Sequence, residues 1–213
     1  MRLRNVKNKE EILNGSKLLI TEPEKYIGKW QKLFNNENPI YIEIGMGKGG
    51  FILENALRFP NINFIGIERL DSIIARAVQK IEGREEIPNN LILVRMDAKN
   101  IDKVFKKEID KIYLNFSDHW PKKRHSERRL TSTTFLKKYD FIFKNSKVIE
   151  MKTDNVNLFE FSLVSLSQNN YILEEVSLDL HNSDKEDNIM TEYEKKFSEK
   201  SIKINYLKAK KDV

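Results

Sequence analysis

Short apolar runs rich in β-branched and aromatic residues recur along the chain, with more polar segments between them. The runs cover residues 40–44, 64–67, 91–94, 112–116, 148–151, 171–180 and 202–207. Between the first five, segments such as 51–59 and 72–81 have apolar residues three and four positions apart, as on one face of a helix. Strands that alternate with helices form parallel βαβ units, whose helices cover both faces of the sheet. The pattern predicts an α/β fold with a seven-stranded, mostly parallel sheet.

The two ends of the chain depart from this alternation. The last two runs flank a polar loop at 181–188 and only a short helical stretch at 191–199, so we expect them to pair antiparallel at one edge of the sheet. Residues 22–34 have apolar side chains at helical spacing and a proline in the first turn, which predicts one amphipathic helix packed against the sheet. We expect residues 1–38 to form a helical extension of a single domain that spans residues 1–213.

Composition narrows the functional classes. The chain has 213 residues, enough for one full core, and its 38 Lys and Arg against 32 Asp and Glu give a formal charge of +6. This charge favours a polyanionic partner such as nucleic acid or an anionic membrane surface, and does not choose between them. The chain contains no cysteine, which excludes disulfides, thiolate metal sites and thiol nucleophiles and suits a reducing compartment. No apolar run approaches the length of a membrane span, so we expect a cytoplasmic protein without a membrane partner.

The first of these strands runs into a glycine-rich turn, with the sequence EIGMGKGG at residues 43–50. Glycines at this point allow a nucleotide-like ligand to approach the backbone before the next helix begins. Gly45, Gly47 and Gly50 match the dinucleotide fingerprint G-x-G-x-x-G, and Glu68 ends the second strand where a ribose-binding acid is expected. A dehydrogenase is therefore one candidate.

Charge favours a different cofactor. Glu43, at the tip of the first strand, would repel the pyrophosphate of a dinucleotide, whereas S-adenosylmethionine has no phosphate and carries a positive sulfonium and a positive amino group. Glu68 can accept hydrogen bonds from ribose hydroxyls, and Asp97 follows the third strand, where an adenine amino group is expected. Any one of these acids alone could cap a helix or face water. Acids at three successive strand ends favour a site for S-adenosylmethionine.

The fourth strand opens into a segment that combines an acid, an aromatic residue and many bases, SDHWPKKRHSERR at residues 117–129. Ligands of open α/β sheets bind at the carboxyl ends of the strands, so we expect Asp118 to project towards the cofactor and the basic residues to rim the same opening. Lys and Arg can neutralise phosphates while His119 or Trp120 stacks on a base, a combination typical of RNA recognition. The alternatives are a solvated basic surface and, for Trp120, a core anchor of the loop.

The segment at residues 115–130 resembles the bacterial tRNA (guanine-N7)-methyltransferase family, in which an acid-tipped strand is followed by Trp-Pro-Lys-Lys-Arg-His and paired arginines. Shorter segments support the resemblance in the family's order: IEIGMGKG at 42–49, GIE at 66–68, KTDN at 152–155 and TEYEKKF at 191–197. The resemblance implies a Rossmann-like class I methyltransferase fold, S-adenosyl-L-methionine as the cofactor and tRNA as the partner. The implied reaction is methyl transfer to N7 of a guanosine in the variable loop.

The resemblance also implies roles for individual residues, with Asp118 as the catalytic one. The cofactor pocket would contain four acids and two glycines of the turn: Glu43, Gly45, Gly47, Glu68, Asp97 and Asp118. The substrate would meet Lys122, Asp154, Thr191, Glu192, Tyr193 and Glu194. RNA would contact Arg124, His125, Ser126, Glu127, Arg128 and Arg129.

Two positions depart from the family pattern. His119 stands where the family usually has proline, and it adds a side chain that can stack or carry a proton. Ser201 stands where glycine is common, which predicts a turn that does not require a positive φ. Both departures concern loop geometry and remove no functional group.

Structural alternatives stay open for three of the substrate residues. Asp154 could be the N-cap of a helix that begins near residue 155, and Thr191 and Glu194 have the spacing of a capping box. His125 and His181 have no neighbouring set of ligands, so no metal site is expected.

Two other functions compete with the implied one. An amino-group methyltransferase would need two prolines and an aromatic residue after the Asn or Asp of the fourth strand, and residues 115–118 lack the prolines. A non-catalytic RNA-binding protein would need the basic segment but not the acids at the strand ends. The sequence is compatible with a monomer or a homodimer.

Overall fold

The structure is a computed structural model that describes residues 6–198 and 200–212. Within these ranges, eight strands form one sheet in the order β1-β4-β3-β2-β5-β6-β8-β7. The strands are β1 (Leu19–Ile20), β2 (Ile40–Ile44), β3 (Asn63–Glu68), β4 (Leu91–Arg95), β5 (Ile109–Asn115), β6 (Phe143–Thr153), β7 (Ile172–Ser177) and β8 (Asn205–Lys211). Strand β8 is antiparallel to β6 and β7, and the other pairs are parallel. The α/β class, the mostly parallel sheet and the antiparallel edge pair are confirmed, with one strand more than predicted.

The additional strand is β1, which consists of two residues. It pairs in parallel with β4, and Leu93 N donates a 2.9 Å hydrogen bond to Leu18 O beside it. A run of this length has no periodicity that could indicate a strand, so it was not predicted. Through β1, the segment before β2 contributes to the sheet as well as to the helices.

Helices cover both faces of the sheet. They are α1 (Lys9–Gly15), α2 (Trp30–Phe34), α3 (Gly50–Arg58), α4 (Asp71–Glu82), α5 (Thr133–Ile142), α6 (Val156–Gln168) and α7 (Glu192–Ser198). Short 3-10 helices cover Pro23–Tyr26, Ala98–Lys103, Lys123–Arg128 and Leu180–Asn182. Phe64 belongs to the apolar layer under α3 and α4, and the next residue, Ile65, belongs to the layer under α2, α5 and α6. Successive residues of β3 therefore point into opposite halves of the core, as the pleat of a strand requires.

The single helix predicted for residues 22–34 is wrong. The 3-10 helix Pro23–Tyr26 and α2 are separated by Gly28, whose φ is 71°. The backbone N–H groups of Gly28 and Trp30 each donate a 2.9 Å hydrogen bond to the carboxylate of Glu108, and the Trp30 indole donates one to Val104 O. These partners lie more than 70 residues away in the chain, so a tertiary contact overrides the local helical pattern.

The C-terminal turn differs from expectation at Ser201, whose φ is 54°. The prediction that this turn does not require a positive φ is wrong. The N–H of Ile202 donates to Phe197 O at 3.1 Å, which is the six-residue hydrogen bond of a Schellman motif with Ser201 in its left-handed position. The last strand accordingly begins at Asn205 rather than at residue 202. Residue 199, the end of the helical stretch expected at 191–199, lies outside the described residues.

The two ends of the parallel strands have different surroundings. The loop that connects α4 to the amino end of β4 is exposed at residues 83–87. At the carboxyl ends, the strand order reverses between β2 and β5, which is where α/β sheets bind ligands. A lipid bilayer could not be crossed by any of the helices described, which are too short or too polar for that.

Candidate active site

A cavity of about 660 Å³ lies at the carboxyl ends of strands β2 to β5. Four of the residues that the sequence indicated for the cofactor pocket line it: Gly45, Glu68, Asp97 and Asp118. Glu127 and Arg128 of the basic segment line the same cavity. The acids at the strand ends and part of the predicted RNA-binding segment therefore share one space.

The glycine turn leaves the backbone open towards the cavity. Gly45 has a φ of 81°, and no neighbouring atom lies within 4 Å of the point where a side chain would begin. Its N–H donates a 2.8 Å hydrogen bond to Ile67 O, which fixes the turn against β3. Gly47 also has a positive φ of 58°, but it does not line the cavity. Gly47 therefore shapes the turn, while Gly45 faces the cavity.

Glu43 lies behind the turn and is only 2% exposed. Its Oε1 accepts a 2.9 Å hydrogen bond from the Asn115 side chain, and Oε2 is buried with no hydrogen-bond partner among the described residues. Burial raises the pKa of Glu43 to about 7, against the opposing effects of Asn115 and Lys152. An acceptor oxygen without a partner is consistent with a cationic or hydrogen-bond-donating ligand at this point.

Glu68 and Asp97 reach the cavity from β3 and from the turn after β4. Glu68 Oε1 accepts hydrogen bonds from the N–H groups of Arg69 (2.8 Å) and Leu70 (3.1 Å), which hold the carboxylate at the strand end. Asp97 accepts one from Lys99 N at 3.0 Å and so caps the 3-10 helix that follows. The capping role considered for these acids from sequence is therefore present at Asp97. Capping uses one of its two carboxylate oxygens, Oδ1.

The rest of the cavity wall includes residues that the sequence did not indicate. Four apolar residues line the cavity near the ends of β3 and β4 and the start of α4: Ile67, Leu70, Ile73 and Met96. Helix α5 contributes Thr134, Phe135 and Lys138, and Lys138 Nζ donates to Asp102 Oδ1 at 2.6 Å and to Lys99 O at 2.7 Å. One signal in the sequence was the four-residue spacing of Thr134 and Lys138, which puts two polar groups on one side of a helix.

Asp118 lies in a loop with an unusual backbone. Phe116 and Trp120, on either side of it, have φ values of 50° and 43°, and both line the cavity. Arg129 holds this loop, because its guanidinium donates 3.1 Å hydrogen bonds to the carbonyl groups of His119 and Trp120. The same guanidinium lies 4.4 Å from the centre of the Phe161 ring. Asp118 itself is exposed at the cavity.

The basic segment forms the 3-10 helix Lys123–Arg128 beside this loop. The guanidinium of Arg128 lies 4.9 Å from the centre of the Trp120 ring, and the His125 ring meets the same indole edge-on at 5.8 Å. Lys122 precedes the helix and is exposed, as is Arg124, whereas Ser126 is half-buried. Arg128 thus faces the cavity, while Arg129 is bound by the loop and by Phe161.

Apart from Lys122, the residues predicted to meet the substrate lie in the turn before α6 and at the start of α7, which contacts the cavity lining through Tyr193. Asn155 is the N-cap of α6, with Leu158 N donating to its side chain at 2.8 Å, so the capping role considered for Asp154 belongs to Asn155. The Tyr193 ring, 44% exposed, lies 4.7 Å from the ring of Phe116. Burial raises the pKa of Tyr193, with a further increase from the charge of Asp154. Phe116 thus connects Tyr193 to the cavity.

Thr191 and Glu194 form the capping box of α7. The Thr191 side-chain oxygen accepts a 2.9 Å hydrogen bond from Glu194 N, and the Glu194 carboxylate accepts one from Thr191 N at 3.2 Å. Glu194 is fully buried. Between them, Glu192 accepts a 2.5 Å hydrogen bond from Lys80 of α4, which ties α7 to that helix. Thr191, Glu192 and Glu194 are thus all engaged within the protein.

The sheet order, the glycine turn and the cavity at the switch point define a class I methyltransferase fold. A solved antibiotic-related methyltransferase superposes on this chain with a TM-score of 0.66 and 17% identity, covering 87% of this chain and 94% of that one. The 16S rRNA methyltransferase KamB gives a TM-score of 0.65 with 9% identity over the same shares. At these identities the likeness concerns the fold.

Sequence comparison narrows the class to a family. The model of a family described as "putative methyltransferase" matches residues 37–207. Relatives named tRNA (guanine-N(7)-)-methyltransferase include one from Lachnoclostridium phytofermentans, 47% identical over 98% of both chains. Another, from Listeria innocua, is 54% identical over 92% of this chain and 91% of its own. The chain belongs to the tRNA (guanine-N(7)-)-methyltransferase family.

Proposed function

We propose that this protein transfers a methyl group from S-adenosyl-L-methionine to N7 of a guanosine in the variable loop of tRNA, forming 7-methylguanosine. One observation carries the proposal: Asp118 and Arg128 of the basic segment line the same cavity as Glu68 and Asp97. Carboxylates suited to a cationic nucleoside and an arginine suited to RNA phosphate thus line the same cavity. The family membership given above points to the same reaction.

The cavity fits the chemistry of the cofactor. Glu68 would accept hydrogen bonds from the ribose hydroxyls, and Asp97 would accept one from the adenine amino group through the carboxylate oxygen not used in capping. Gly45 leaves room for close approach to the backbone, and the buried, unpartnered oxygen of Glu43 suits the amino group of the methionine part. The absence of phosphate from this cofactor is compatible with these carboxylates. When bound, it supplies an activated methyl group on a sulfonium.

Chemistry at guanine N7 needs alignment more than proton transfer. N7 of neutral guanine already presents a lone pair, so no general base is required, and the transfer depends on holding N7 in line with the methyl group. The purine becomes positive as the bond forms. Asp118, an exposed carboxylate at the cavity that follows β5, would stabilise that charge, which is the role we assign to it as the catalytic residue.

Recognition of guanine is assigned to the wall beside Phe116. Asp154 would accept hydrogen bonds from N1 and the exocyclic amino group of guanine, an edge that adenine does not reproduce. Tyr193, the most exposed side chain of residues 191–194, would contact the base. Thr191 and Glu194 would act chiefly by fixing the conformation of this segment, since their polar atoms are used within the protein.

Binding of tRNA is assigned to the exposed basic side chains that follow the loop of Asp118. Lys122, Arg124 and Arg128 would neutralise backbone phosphates, with His125, Ser126 and Glu127 in the same segment and Arg129 supporting the loop. A tRNA substrate implies a cytoplasmic location. We therefore assign the phosphate backbone of tRNA to the basic segment and its target purine to the site beside Asp118.

The experiment incubates the protein with isotopically labelled S-adenosylmethionine and unmodified tRNA, and identifies the product by mass spectrometry of the digested nucleosides. We expect labelled 7-methylguanosine. A matched tRNA transcribed with 7-deazaguanosine, which has carbon in place of N7, should bind but accept no methyl group. Label in another nucleoside, or in the 7-deaza transcript, would contradict the proposal.

A further inference from the structure

Lys152, near the end of β6, has a buried ammonium group whose hydrogen bonds all go to one distant segment, and the group also lies 5.3 Å from the centre of the Phe51 ring of α3. Its side chain is 6% exposed. The Nζ donates hydrogen bonds to Asn188 Oδ1, to Ile189 O at 2.8 Å and to Glu194 Oε2 at 3.1 Å. An ammonium group has three N–H donors, so this set satisfies all of them. Lys152 therefore fastens residues 188–194 to the end of the sheet.

The segment depends on this ammonium group because Glu194 is fully buried. Its carboxylate also accepts hydrogen bonds from the Asn188 side chain at 2.7 Å and from Thr191 N at 3.2 Å, and His181 Nε2 lies 3.7 Å from it. A buried carboxylate is strongly destabilising without a paired charge. Removal of Lys152 would take the paired ammonium group away from Glu194, and movement of the segment towards water would relieve the resulting cost.

The held segment carries a side chain that reaches the cavity wall. Tyr193 lies between the buried pair Thr191 and Glu194 in the chain, and its exposed ring is 4.7 Å from Phe116. Phe116 lines the cavity together with Asp118. The position of the Tyr193 ring relative to Asp118 therefore depends on how residues 188–194 are seated.

We infer that Lys152 is a positioning residue for the target base: it seats residues 188–194 so that Tyr193 and Phe116 hold the purine in line with the methyl group. This inference rests on the proposed function. Lys152 touches neither the cavity nor the exposed surface, so it acts through the segment and not on the substrate. A misplacement of about 1 Å at a reacting base can reduce a rate by roughly a hundredfold.

The test compares Lys152→Met with Lys111→Met. Lys111, on the neighbouring strand β5, pairs with Glu150 at 2.9 Å and is partly buried, so its loss also removes an ion pair of the sheet. We expect Lys152→Met to reduce kcat for 7-methylguanosine formation at least about tenfold. The KM for tRNA and the affinity for S-adenosylhomocysteine should change less than about threefold, because the basic segment and the cavity are intact. Lys111→Met should keep wild-type kcat.

A second variant covers the case in which Lys152→Met does not fold. Asn188→Ala removes a contact shared by Lys152 and Glu194 without stranding a charge, and the same reduction of kcat at nearly constant KM is expected. Folded variants of both kinds with kcat within twofold of wild type would overturn the inference, and if only Asn188→Ala folds, its kcat decides. A loss confined to the KM for tRNA would overturn it as well.

Hydrogen exchange separates this inference from the proposed function. Amides of residues 188–198 should exchange faster in Lys152→Met and in Asn188→Ala than in Lys111→Met, whether or not the wild-type protein makes 7-methylguanosine. Unchanged exchange in this segment would overturn the seating role. A wild-type protein that makes no 7-methylguanosine, but shows the change in exchange, would instead contradict the proposed function and the part of the inference that concerns the base.

Discussion

The side-chain amide of Asn115 donates a 2.9 Å hydrogen bond to the carboxylate of Glu43 and so joins the ends of β5 and β2 beneath the glycine turn. This bond satisfies one oxygen of a carboxylate that is otherwise surrounded by protein. Burial raises the pKa of Glu43 to about 7, from an ordinary value of 4.5. The protonation state of Glu43 therefore changes close to neutral pH.

Replacement of Glu43 by glutamine should alter how stability depends on pH. Between the ordinary and the raised pKa, the folded protein binds a proton that the unfolded chain has lost, so the stability contributed by this group falls as pH rises. The loss across the whole interval is about 3 kcal/mol. The Tm of Glu43→Gln relative to wild type should therefore rise between about pH 5 and pH 8, as measured by calorimetry. Glu54→Gln, on the exposed side of α3, is the control; equal pH profiles for both variants would contradict the prediction.

Asp118→Asn should reduce methyl transfer without loss of folding or of RNA binding. The substitution removes the negative charge that we assign to stabilising the developing purine cation, and the expected decrease in single-turnover rate is about 10²- to 10³-fold. Because Asp118 is exposed, the Tm of the Asp118→Asn variant should stay close to that of the wild-type protein. Asp184→Asn, another exposed aspartate outside this cavity, should keep the wild-type rate. Near-full turnover by Asp118→Asn would show that the assigned role is wrong.

Arg128→Ala should weaken tRNA binding and its dependence on salt. Arg128 lies at the cavity over Trp120 and is exposed, so it is available to a phosphate. Loss of one phosphate contact should lower the slope of log affinity against log salt by about one. Filter binding at several salt concentrations measures both quantities. An unchanged slope would exclude a phosphate contact at this residue.

Arg129→Ala is the matched comparison for Arg128→Ala. Its guanidinium holds the carbonyl groups of His119 and Trp120, so its loss should loosen the loop that carries Asp118. We expect a decrease in stability of roughly 1–3 kcal/mol and weaker binding of S-adenosylhomocysteine, effects that Arg128→Ala should not show. Equal behaviour of the two variants would contradict this division between support and recognition.

Ser201→Gly should stabilise the protein. Ser201 has a φ of 54°, a left-handed conformation that costs a residue with a side chain about 1 kcal/mol and costs glycine almost nothing. The Tm should therefore increase, while Ser201→Ala, which keeps the Cβ atom, should show no such gain. A gain of equal size for alanine would mean that the backbone conformation is not the cause.

Much of the fold follows from local patterns, because a buried parallel strand needs an apolar run wherever it occurs. Residues 40–44 were predicted as a strand and form β2, and helices were predicted within one residue of α3 and α4. The segment 22–34 was predicted incorrectly because Gly28 and Trp30, in its middle, are held by Glu108. The last strand was predicted from residue 202, but its pairing with β6 begins only at Asn205, after the left-handed turn at Ser201. Such contacts join residues that no window of sequence contains together.

The residues of the candidate site also divide into those that the sequence predicts and those that depend on tertiary contacts. Glu68, Asp97 and Asp118 follow from sequence alone, since the acid after a parallel strand must lie at the ligand-binding edge. Lys138 was not identified because it comes from a helix, where the direction of a side chain depends on how the helix is docked. The burial of Glu194 was also not predictable, because its partner Lys152 lies 42 residues earlier in the chain.

The exposed loop at residues 83–87 lies at the opposite ends of the strands from the cavity. Surface loops of this kind tolerate added groups. Because the chain contains no cysteine, Glu86→Cys would introduce its only thiol. A fluorophore attached there would label the protein at one defined point, away from both the cavity and the basic segment, so that the proposed binding of tRNA could be followed in real time without a change to the candidate site.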